Sequence, residues 1–98
     1  ELRVGLMPMN AQGPRDSEID FKCSYNHDNE LYIYLKLTPY NGIPLTAWAM
    51  EPGPLVRTNE GAYRMWRVHV GQYPCVVECS IMDRHGNALA MITTTVTP

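Results

Sequence analysis

The sequence predicts an all-β protein: an antiparallel two-sheet sandwich of seven or eight short strands. Three observations carry this. Apolar residues recur at every second position in several separate runs, the pattern of half-buried strands. Turn residues break those runs roughly every eight to twelve positions. No segment keeps the three-to-four spacing of an amphipathic helix, and the 8 prolines and 7 glycines are spread along the chain rather than clustered.

Taken in order, Leu2, Val4 and Leu6 share one side of a first run, and Pro8 limits how far it can pair, so residues 2–7 are expected as an edge strand. Residues 10–16 are turn chemistry. Ile19, Phe21, Cys23 and Tyr25 then alternate against Asp20, Lys22 and Ser24 in a half-buried strand. After the polar loop 26–30, Leu31, Ile33, Leu35 and Leu37 alternate with Tyr32, Tyr34 and Lys36, the clearest period-two run in the chain. Asn41-Gly42 supplies positive φ for a tight reversal into a short strand over 45–50. The prolines of 51–54 exclude regular structure there, and 55–57 is at most a brief strand.

A turn at 58–61 leads into 62–70, rich in strand formers, with Tyr63 and Met65 on one face, Arg64 and Trp66 on the other, and a change of phase expected near Val68. Residues 71–81 place Tyr73, Cys75, Val77, Cys79 and Ile81 on one buried face. A hairpin loop at 83–87 and a Thr-rich strand over 88–96 complete the set.

Composition narrows the function classes. A chain of 98 residues forms one domain with one core, hiding roughly 60 to 70% of its unfolded surface. Its net charge of -2, with 18% charged residues, lacks the basic excess that nucleic acid or an anionic membrane surface attracts. No apolar run is long enough to span a bilayer, so this segment is not expected to insert. The start, Glu1-Leu2-Arg3-Val4, has neither an initiator Met nor a signal-peptide core, and residues 1–98 are expected to be a single domain excised from a larger multidomain protein.

Gly71, Tyr73 and Cys75 spell Gly-x-Tyr-x-Cys at the start of a strand, and Cys23 stands some fifty residues upstream in another inward-facing run. This combination resembles the immunoglobulin superfamily, over about residues 19–96, and Lys36 with the Asn41 to Leu45 segment resembles the turn after the third strand of I-set-like members. The resemblance implies an immunoglobulin-like Greek-key sandwich, with the Tyr73 hydroxyl tying the corner that Gly71 opens. It also implies an inter-sheet disulfide, Cys23 to Cys75, worth about 4 kcal/mol by chain entropy. The bland alternative is three buried thiols, and Cys79, on the same face as Cys75, replaces it by a register shift, stays a free buried thiol, or bridges to another chain. Two positions depart from the family pattern. His69 stands where an Asp is usual, and Leu35 or Leu37 where the third strand usually has Trp, so Trp48 or Trp66 would fill that volume from another strand.

Candidate chemistry is sparse. His27 with Asp28 and Glu30, and His85 with Asp83, lie in two loops that such a sandwich brings to one end, but neither has a recognised ligand spacing and no metal or cofactor is expected. Cys79 with a histidine lacks an orienting third group, so no catalytic residue is assigned. Tyr32, Tyr34, Trp66 and Arg67, with Lys36 and Arg64, are candidate partner-binding residues because Tyr, Trp and Arg concentrate binding energy; the bland reading is an ordinary sheet face with basic stems covering the rings. The resemblance thus implies a non-catalytic, extracellular or cell-surface module that recognises another protein in adhesion, or spaces neighbouring domains of its parent chain. The alternatives are an intracellular structural domain of a cytoskeletal or muscle scaffold with reduced cysteines, or an accessory sandwich of a bacterial or viral protein.

Overall fold

The computed structural model describes residues 1–10, 17–27, 30–72 and 74–97. Among these residues eight strands form two antiparallel sheets: β1 (Val4–Pro8), β2 (Ser17–Tyr25), β3 (Tyr32–Thr38), β4 (Ala47–Ala49), β5 (Val56–Thr58), β6 (Gly61–Val70), β7 (Cys75–Met82) and β8 (Ala88–Val96). One sheet runs β1-β2-β6, with β4 and β5 sharing the far side of β6; the other is β3-β7-β8. Lettered in chain order, with β4 an extra short piece, these are ABED and CFG. That is the strand order of the immunoglobulin-like Greek-key sandwich.

The period-two patterns decide which faces meet. Ile19, Phe21 and Cys23 of β2, Val68 and Val70 of β6, and Cys75, Val77, Cys79 and Ile81 of β7 are all fully buried. Their polar neighbours alternate outward, which is why a one-residue slip of any strand would exchange core for surface. The interior has two halves. One gathers Cys23, Tyr25, Leu31, Ile33, Trp66 and Cys79; the other gathers Ile19, Phe21, Val70, Cys75 and Val96. Leu6, Leu35 and Ala49 touch both, so the core is continuous.

Two turns form as their residues require. Asn41 and Gly42 both adopt positive φ, 49° and 75°, and the Ile43 N–H donates to the Tyr40 carbonyl at 2.9 Å. This is the tight two-residue reversal that an Asn-Gly pair favours. Between β5 and β6, Thr58 pairs with Gly61 and the Thr58 hydroxyl accepts from the Glu60 N–H at 3.2 Å.

One expectation is corrected here. β6 keeps a single phase from Ala62 to Val70, pairing with β2 without a break, because Tyr63 and Met65 face outward and only the even positions enter the core. Large apolar residues on both faces made a slip look necessary. The irregularity falls instead between Ile81 and Met82, where β7 meets β8 just before their hairpin loop.

Candidate functional site

The centre of the molecule is a sulfur pair. Cys23 on β2 and Cys79 on β7 come from opposite sheets and meet in one half of the core, both fully buried, with Trp66 in the same cluster. The Cys79 thiol is pushed well above the ordinary thiol range by its hydrogen bond to Cys23, then by burial and the closeness of the Cys23 sulfur. A thiol held protonated in this way is a poor nucleophile. Cys75 packs in the other half of the core, where burial also raises its pKa and its thiol points to the Val76 carbonyl at 3.9 Å. The contact made by Cys23 is therefore with Cys79 rather than with the expected Cys75. The two candidates sit four residues apart on β7, about 13 Å along an extended strand, so Cys23 can face only one of them. None of the three is bridged in the structure.

Gly71 follows β6 directly and its N–H donates to the Thr46 carbonyl at 2.7 Å, holding the crossing to β7 against the segment before β4. Tyr73 lies outside the described residues. A different tyrosine does tie a loop to the core: buried Tyr25 accepts, at its hydroxyl, the N–H of buried Leu31 at 3.0 Å. Sequence reasoning took Tyr25 only as the last apolar position of its strand. Tyr25→Phe would leave that N–H buried without an acceptor, so a loss of about 1–3 kcal/mol in a urea titration is expected; a change below a few tenths would show that the bond carries no weight.

The candidate contact residues do not form one patch. Tyr32 and Tyr34 stand outward on β3, 47% and 52% exposed. In register across the same face lie Met82 beside Tyr32, and Ser80 then Met91 beside Tyr34, giving an apolar corner next to Lys36, Glu78 and Thr93. Trp66 belongs to none of this. It is only 4% exposed and lies in the core between the sheets, so it fills interior volume rather than contacting a partner. Arg64 shares its inward register, opposite Cys23, and lines a shallow pocket with Tyr34, Met50, Glu51 and Trp66 at the gap beside β3.

Arg67 stands on the outer face of the other sheet, where its Nε donates to Asp20 Oδ1 at 2.9 Å and its Nη1 lies 3.7 Å from Glu18. On that face Lys22 sits 4.2 Å above the Tyr63 ring, and Trp48 stacks on His69 at 4.1 Å. All six methionines also avoid the core. Met7, Met9, Met50 and Met91 are exposed, and Met65 and Met82 are half-buried.

Of the loop residues expected to converge, Glu30 lines one depression with Asp83, Arg84 and His85, His27 lines another with Glu1, Leu2 and Asn59, and Asp28 lies outside the described residues. Asp83, however, spends its carboxylate on its own loop: Oδ1 accepts from the His85 and Asn87 N–H groups at 2.9 Å, and Oδ2 from Asn87 Nδ2 at 3.0 Å. These bonds hold the Asp83 pKa below the ordinary carboxylate value, Asn87 contributing most. A depressed carboxylate stabilises the fold above its unfolded pKa, and that contribution disappears as pH falls through the folded value. Among the described residues no group of three His, Cys, Asp or Glu side chains is placed to share a metal ion.

No protein-family model matches this chain, and no curated protein matches it. Among the described residues no helix is long and apolar enough to cross a membrane.

Proposed function

We propose that the chain is a non-catalytic module of the immunoglobulin superfamily, part of an extracellular or cell-surface protein, acting in recognition of another protein or in spacing neighbouring domains. The observation that carries this reading is the Cys23–Cys79 contact, which joins the second and seventh strands of an ABED/CFG sandwich across its core. Oxidised, that pair closes a loop worth about 4 kcal/mol to a domain this small. The outward face of β3, β7 and β8, with Tyr32, Tyr34, Met82 and Met91, supports a contact role, because aromatic residues and Met are enriched where proteins meet. The buried side of the molecule offers apolar packing and protonated thiols, which suits a scaffold better than a reaction.

Intact mass after alkylation in denaturant, without reductant, tests this. The expected result is one alkylated cysteine, Cys75, and a peptide map joining Cys23 to Cys79. Three alkylated thiols in protein taken from its native compartment would overturn the extracellular reading and favour a reduced intracellular scaffold domain. A Cys23–Cys75 link would instead overturn the pairing while keeping the compartment.

A further inference from the structure

The edges of the two sheets are not alike. β1 ends on Pro8 and follows Arg3 closely. The opposite edge of that sheet is cut into β4 and β5, three residues each, with Pro52 and Pro54 between them. β3 carries Lys36 and stops before Pro39. A missing N–H, a charge and a short length are each devices that discourage a further strand from adding. β8 has none of them. Its nine residues, ALAMITTTV, include no charge, no proline and no glycine, and among the described residues β7 is its only ladder partner. Among the described residues no strand meets the backbone N–H and C=O groups of its far side.

Side-chain burial agrees. The inward residues of β7 are fully buried, whereas Ala90, Ile92 and Thr94 of β8 are only half-buried. Ala90 and Ile92, like Leu2, Val4 and Leu6, pack against the half of the core that holds Cys23 and Cys79, and β1 runs close to β8 without joining its ladder.

We propose that β8 is a strand-addition edge occupied by β8 of a second copy of this chain, antiparallel about a two-fold axis near Thr93. The two three-stranded sheets then fuse into one of six strands. A second copy fits because it brings the same unpaired row, and one isologous contact satisfies both. Charge points the same way: no residue of β8 is ionisable, so its self-pairing sets no like charges together, whereas self-pairing of β3 would bring two copies of Lys36 close. About this axis Thr93 meets Thr93 of the second copy, a pairing that sheets favour, and Met91 meets Thr95. The proposal extends the module reading and does not depend on the state of the cysteines.

Sedimentation velocity on the 98-residue chain over a wide concentration series tests it, together with amide hydrogen exchange. A dimer that grows with concentration is expected, with new amide protection confined to β8. Thr93→Lys with Thr95→Lys should weaken the dimer about tenfold or more while leaving the thermal midpoint at high dilution unchanged, since Glu78 lies opposite Thr93 to receive the new charge. If that double variant fails to fold, Met91→Lys, at the most exposed large apolar residue of the strand, carries the same expectation. A chain that stays monomeric into the millimolar range, or a dimer indifferent to folded lysine variants, would overturn the proposal.

Discussion

Gly61→Ala is expected to lower stability by about 3 kcal/mol or more, a large share of the 5–15 kcal/mol typical of a domain. Gly61 opens β6 directly after the Asn59-Glu60 turn, with φ of 141°, a region that side-chain-bearing residues rarely enter. Space is the second obstacle. A Cβ built there runs into the Tyr25 carbonyl oxygen and comes within 2.8 Å of the Asn26 Cα, both backbone atoms at the end of β2. Neither can yield by rotating a side chain, and Tyr25 is already committed to Ala62 in the ladder and to Leu31 through its hydroxyl. The β5–β6 turn, the β2–β6 ladder and the β2–β3 loop would all have to shift together. A denaturant titration checks this; a loss under about 1 kcal/mol would mean that the backbone relaxes around the methyl group at little cost.

Trp66→Ala should cost about 3–5 kcal/mol, the usual range for emptying a large aromatic site. Trp66 lies between the sheets in the cluster that holds the sulfur pair, to which the third strand contributes the aliphatic Ile33 and Leu35. Trp48→Ala provides the internal control. Trp48 is 54% exposed and stacked on His69, so its loss should stay near the 0.5–1.5 kcal/mol scale of an aromatic pair. Equal effects in urea titrations of the two variants would contradict the assignment of Trp66 to the core and Trp48 to the surface.

Much of the fold was legible because its signals are local. Alternation identified the inward faces of β2, β3 and β7, and Asn41-Gly42 and the 58–61 turn placed two reversals. The site was less legible, for a physical reason that Cys75 and Cys79 show well. A period of two makes them equivalent, since both occupy odd positions of one strand. Which of them meets Cys23 depends on how far β7 slides past β2 across the core, a long-range quantity set by packing in the whole interior. Trp66 was ambiguous for a related reason: with Tyr63 and Met65 on the opposite face, both phases of β6 offered an apolar side. Tyr25 was missed because its hydrogen bond reaches a backbone N–H beyond a polar loop, and alternation carries no information about what a hydroxyl will find there. The corner role expected of Tyr73 falls outside the described residues.

The distribution of sulfur has a chemical consequence of its own. Every thioether lies on or near an outer face, while every thiol is sealed between the sheets. Oxidants such as peroxide therefore reach Met7, Met9, Met50 and Met91 in the intact molecule, and the sulfoxides they form point into water without disturbing the packing. A reagent specific for reduced cysteine meets nothing until the two sheets part, so its rate of labelling measures how often that separation occurs. In this chain methionine records exposure to the surroundings, and reduced cysteine would act as the clock on opening of the fold.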